Sequence, residues 1–108
     1  MRFSCSQSTL VKALNIVSKA VTSRTTIPIL KGILLKVDAN GILTMSASDL
    51  DLSIEKKIQV SDAKEGSIVV LSKLFGDIIR KLPDEKITIE EENGKVNIKC
   101  SNSEFNII

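Results

Sequence analysis

Leu10, Leu14, Val17 and Val21 recur at spacings of four, three and four, which places them on one stripe of a helix. Lys12 and Lys19, seven apart, fall on a different side, with Asn15 and Ser18 near them. Ser6 or Ser8 can accept backbone N–H bonds and start this helix, and the pattern ends it near Val21 to Ser23. Ahead of it, Met1 to Cys5 alternates as a strand. Behind it, Pro28 biases Ile27 to extended geometry, and Ile29 to Val37 reads as the next strand. Asp38-Ala39-Asn40-Gly41 is a hairpin turn, because Asn-Gly supplies positive φ. Leu43, Met45 and Ala47 mark one face of the returning strand. After a turn at Ser48-Asp49, Leu50, Leu52 and Ile54 alternate with Asp51, Ser53 and Glu55 as a half-buried strand that continues to Val60.

The order then repeats. Ser61 to Gly66 is a polar connection, and Ser67 to Leu71 is a short apolar strand. Ser72 is positioned to cap a second helix whose apolar side is Leu74, Phe75, Ile78, Ile79 and Leu82, stopped by Pro83. Lys73 and Arg80 stand seven apart on its other side, with Lys81 beside them. Three strands follow, Ile87 to Glu91, Val96 to Cys100 and Glu104 to Ile108, joined at Glu92-Asn93-Gly94 and Ser101-Asn102-Ser103. The layout is therefore strand, helix, three strands, twice over, in residues 1–60 and 67–108. It predicts an α+β domain of two βαβββ pseudo-repeats, with two helices, seven or eight strands and antiparallel sheets. A pseudo-twofold sets the helices side by side on one face, where Lys12/Lys19 and Lys73/Arg80 present one positive surface.

Charge sharpens this picture. Residues 1–37 hold six basic side chains and no acidic one; with +6 there and +2 for the chain, residues 38–108 carry −4. The asymmetry fits a surface that meets a polyanion, although on charge alone a solvated lysine face is slightly the better account. The 108 residues suit one domain with one core. No apolar run reaches the roughly 18 residues of a membrane span, and no apolar segment follows the N-terminal charge as in a secretory signal, so a cytoplasmic location with no membrane partner is expected. The chain stops on the apolar Asn106-Ile107-Ile108, an open strand edge that suggests a fragment continuing into something else.

The candidate chemistry is sparse. The absence of histidine excludes the common Ser-His-Asp and Cys-His catalytic sets, and Cys5 and Cys100 read as small buried apolar residues. Asp49 and Asp51 point to one side of an extended run and could share Mg²⁺, but with no third ligand Asp49 reads as a turn former and Asp51 as a solvent-facing residue. No catalytic residue, metal or cofactor is expected. Three phenylalanines are too few for a base-stacking platform, and five isolated glycines form no phosphate loop.

At Lys12, Arg24-Thr25-Thr26-Ile27-Pro28-Ile29-Leu30, Gly32-Ile33-Leu34-Leu35, Ala47-Ser48-Asp49-Leu50-Asp51 and Leu71-Ser72-Lys73-Leu74-Phe75 through Ile78, Arg80 and Leu82-Pro83, the chain resembles the N-terminal domain of the bacterial DNA sliding clamp, the β subunit of DNA polymerase III. The resemblance runs its whole length. It implies the DNA-clamp fold in one domain of a three-domain chain. Two such chains form a homodimeric ring that encircles duplex DNA, works without catalysis and serves the replicative polymerase and clamp loader. Arg24 matches a DNA-contacting arginine of that family, although a cation following a helix can also answer its C-terminus. Lys12, Lys19, Lys73 and Arg80 are assigned to the pore by helical side alone, and Asp77 could pair with the last two. The resemblance places the subunit interface at Leu74, Glu104, Phe105 and Ile107, with Glu104 acidic where relatives are basic. A small protein-interaction module that recruits partners through a sheet edge is the alternative, and a metal enzyme built on Asp49 and Asp51 is a third.

Overall fold

The computed structural model describes residues 1–21, 31–49 and 52–107. Arg24 and the block from Thr25 to Leu30, together with Leu50, Asp51 and Ile108, lie outside the described residues.

Strand β1 (Arg2–Ser6) runs into helix α1 (Gln7–Val17), which the pattern demands and Ser6 starts: its hydroxyl accepts from the backbone N–H of Thr9 at 3.2 Å. Leu10, Ala13, Leu14 and Val17 are buried. A single 3₁₀ turn, Ser18–Ala20, then closes the element, so Val21 is half-buried beyond the helix rather than on its stripe. β2 (Gly32–Val37), β3 (Ile42–Ser48) and β4 (Ser53–Gln59) follow as antiparallel neighbours. In β3, Leu43, Met45 and Ala47 face the core; in β4, Ile54 and Ile58 are half-buried, while Leu52 lies before the strand and is 46% exposed, not part of the alternation.

The connection read as Ser61 to Gly66 carries a strand of its own, β5 (Ser61–Lys64), which raises the total to nine among the described residues. It is wholly exposed, so no hydrophobic period announces it; backbone pairing with β1 and an ion pair from Asp62 Oδ2 to Lys86 Nζ at 3.0 Å hold it. β6 (Gly66–Leu71) leads into α2 (Ser72–Lys81). Leu71 is the residue that precedes this helix, without a side-chain cap, and Ser72 is buried inside its first turn rather than capping it. Phe75, Ile79 and Leu82 are buried and Ile78 half-buried, but Leu74 is 45% exposed and lies off the apolar side. Leu82, held extended ahead of Pro83 with ψ 152°, ends the helix. β7 (Lys86–Glu92), β8 (Lys95–Cys100) and β9 (Ser103–Ile107) complete the chain.

The strands form two sheets, in the orders β5-β1-β7-β8-β9 and β4-β3-β2-β6. The two copies of the layout therefore exchange their first strands. β1 leaves the first copy to pair with β7 of the second, in register Phe3↔Ile89, while β6 leaves the second to pair with β2 of the first, in register Ile33↔Val70. One continuous core results, in which Phe3, Ile87, Ile89 and Ile98 of one sheet and Ile33, Leu35, Leu43 and Met45 of the other meet Leu10, Leu14, Phe75 and Ile79 of the helices. Among the described residues no helix is long and apolar enough to cross a membrane.

Candidate nucleic-acid interface

The helices lie side by side because each has one apolar stripe and both stripes enter the same core. Gln7 Nε2 donates to the carbonyl of Ile79 at 3.1 Å and Ser8 N–H to Asp84 Oδ1 at 3.2 Å, so the start of α1 is tied to the end of α2. The surfaces left outward are Thr9, Lys12, Asn15, Ile16 and Lys19 from the first helical segment, and Lys73, Leu74, Asp77, Arg80 and Lys81 from the second.

At their seam, Arg80 Nε and Nη2 donate to Asn15 Oδ1 at 3.3 and 3.1 Å, which joins the two exposed faces into one. Lys12, Lys19, Lys73 and Arg80 are all exposed, and among the described residues none makes an ion pair. The pairing of Asp77 with Lys73 or Arg80 that helical spacing permits does not form; Arg80 takes the neutral Asn15 instead. Ser18 departs from the lysine side to which spacing assigned it, since its hydroxyl is buried without a partner among the described residues. Arg24 falls outside the described residues. Asn15 is the functional candidate that charge reading passes over; its i, i+3 and i, i+4 relation to Lys12 and Lys19 was the available signal.

The residues assigned to a subunit interface fall in three places. Leu74 and Ile107 line one cleft of about 140 Å³ with Leu71, Phe75, Gly94 and Val96. Phe105, opposite Ile98, lies on the core-facing side of β9 but is 39% exposed because β9 is the sheet's last strand. Glu104 alternates to the opposite side, where it accepts from Asn97 Nδ2 at 2.6 Å.

Of the acidic pair read as a possible metal site, Asp51 lies outside the described residues and Asp49 forms a turn. Asp49 Oδ1 accepts from Leu52 N–H at 2.6 Å, and the Asp49 N–H donates to the Leu52 carbonyl at 2.8 Å. No group of three or more metal-ligating side chains occurs among the described residues. Burial pushes the Cys5 thiol up to about 11. Cys100, also raised by burial and then by Glu85 beside it, is likewise held as the neutral thiol.

Two antiparallel sheets backing two adjacent helices, with exposed cations on the helices' outward side, define a DNA-clamp domain. The family described as DNA polymerase III beta subunit, N-terminal domain, matches residues 1–108. The beta sliding clamp of Halalkalibacterium halodurans is 40% identical over 99% of this chain and 30% of its own length; that of Vibrio harveyi is 40% identical over 99% and 74%. The DNA polymerase sliding clamp from Bacillus subtilis superposes with a TM-score of 0.92 at 37% identity, covering 98% of this chain and 30% of that one. Caulobacter crescentus pol III beta gives 0.90 at 33% identity, covering 98% and 29%. The chain belongs to the DNA polymerase III beta-subunit family, as its N-terminal domain. It spans about 30% of the length of the Halalkalibacterium relative.

Proposed function

We propose that this chain is the first domain of a three-domain sliding clamp, a processivity factor that encircles duplex DNA and tethers the replicative polymerase without performing chemistry. The observation that carries the reading is the joined outward face of α1 and α2, where Lys12, Lys19, Lys73 and Arg80 stand exposed without ion pairs among the described residues. Family membership supports the rest of the reading, in which Arg24 is a further phosphate contact and the full-length protein a cytoplasmic homodimer served by a clamp loader. Leu74, Phe105 and Ile107, apolar and exposed or half-buried around the open edge of β9, suit a junction with a second subunit, with Glu104 at its rim.

Such a face reads phosphates and not bases, because lysine and arginine charges on a helix surface carry no sequence information when no side chain enters a groove. If Lys12, Lys19, Arg24, Lys73 and Arg80 all met phosphates, the dependence of log affinity on log salt would have a slope of roughly −4 to −5. A ring that slides holds fewer at once, so the expected binding is weak, steeply salt-dependent and equal on unrelated sequences. Duplex titration at two salt concentrations on two sequences tests this, and Arg24→Ala should weaken both sequences alike. Tight, salt-insensitive or sequence-selective binding would exclude the clamp reading.

A further inference from the structure

We propose that Asn15 and Gly76 together position Arg80, holding its guanidinium at the seam between the helices with its remaining N–H groups presented to a duplex phosphate. This rests on the reading of the helix face given above and adds two uncharged residues to it.

Arg80 does not extend into solvent as an exposed arginine is free to do. Its side chain folds back along its own helix over Gly76, four residues earlier. A β-carbon at Gly76 would stand 2.5 Å from Arg80 Nη1 and 3.2 Å from Cζ. Only a residue without a side chain lets the guanidinium settle on the helix there. Across the seam, Asn15 Oδ1 accepts from both Nε and Nη2, at 3.3 and 3.1 Å. Two of the five guanidinium N–H groups are thereby used and three remain.

The chemistry of the acceptor matters as much as its place. Asparagine is neutral, so it orients the fork while leaving the positive charge intact; a carboxylate would neutralise it. Asp77, which could do so from the same helix, makes no such pair. An arginine ordered before its partner arrives loses less freedom on contact, and its planar fork matches phosphate geometry. The device therefore yields a cation that is both fixed and unspent.

Duplex titrations of the chain and of Asn15→Ala, Asn15→Asp, Gly76→Ala, Arg80→Ala and the Asn15→Ala/Arg80→Ala double variant test this, each with a thermal melt. Losing one phosphate contact lowers the salt slope by about 0.9, so Arg80→Ala should cut the affinity ratio between roughly 50 and 200 mM salt about three- to fourfold. Asn15→Ala should weaken binding in the parent but not in the Arg80→Ala background. Asn15→Asp should weaken it more than Asn15→Ala. Gly76→Ala should lower affinity while melting no earlier than the parent, because alanine favours a helix interior over glycine and only a flexible side-chain tip has to move. Equal effects of Asn15→Ala in both backgrounds, or unchanged affinity in Gly76→Ala, would overturn the proposal. An unchanged slope in Arg80→Ala would overturn it too, leaving the duplex reading to the other cations. Failure of the parent chain to bind duplex at low salt would overturn both.

Discussion

Ser6 gives α1 a start that α2 does not have. Its hydroxyl meets the Thr9 N–H at 3.2 Å and lies 2.7 Å from the Thr9 hydroxyl, whereas Leu71 at the head of α2 offers no side-chain oxygen. The second helix is instead fixed by what it buries, Phe75 and Ile79 at full burial with Ser72 turned in behind them. Ser6→Ala should therefore cost about 1 kcal/mol, the usual worth of a side-chain cap. Urea denaturation should show this as a lower midpoint with an unchanged m-value. The cap was legible as one of two serines; the choice between them was not, because it depends on Ser8 N–H being taken by Asp84 across the domain.

At the scale of elements, two turns with the same Asn-Gly spelling are built differently. Asn93 and Gly94 both have positive φ, 53° and 81°, and make a two-residue hairpin between Glu92 and Lys95. At the earlier turn only Gly41 has positive φ, and the loop is organised by Asp38, whose Oδ1 accepts from Asn40 N–H at 2.8 Å and Ile42 N–H at 3.1 Å. Strand β5 lies at the other extreme, with no sequence signal and little burial. Its tie is Asp62, whose carboxyl is held below the usual range first by its hydrogen bond with Lys86. A depressed carboxyl contributes stability that is present above the ordinary value near about 4 and is lost as pH falls through the lowered one. Acidification through that window should therefore reduce amide-exchange protection along the β1–β5 pairing, at Ser4↔Ser61, before the β1–β7 pairing is affected. Asp62→Asn should show the reduced protection at neutral pH and remove its pH dependence, and added salt should mimic it, since the pair is exposed.

Across the whole molecule, the exchange of first strands means that neither copy of the layout closes a sheet alone. β1 sits between β5 and β7, and β6 completes the sheet of β2, so each half depends on the other for backbone pairing as well as for core contacts. Unfolding should accordingly be a single transition, with helix and sheet signals coincident on one denaturation curve. Phe75→Ala, which empties a fully buried position in the shared core, should lower stability by about 3–5 kcal/mol without splitting that curve. Separate transitions for residues 1–60 and 67–107 would show that the exchange does not couple the halves.

Periodicity by itself determined the two helices, their order among the strands and the inward side of most elements, because burial on one face leaves a repeat of 3.6 or 2 in the residues. It also put Lys12, Lys19, Lys73 and Arg80 on the outward sides of their helices, while the repeat of the layout set those helices side by side. What only the tertiary structure decided is pairing: which strand each copy lends to the other, where exposed β5 attaches, and that Arg80 rests on Gly76 and Asn15 instead of answering Asp77. Backbone hydrogen bonds between distant strands carry no side-chain signature. A contact such as Arg80 to Asn15, 65 residues apart, exists only once two helices have been set against one core.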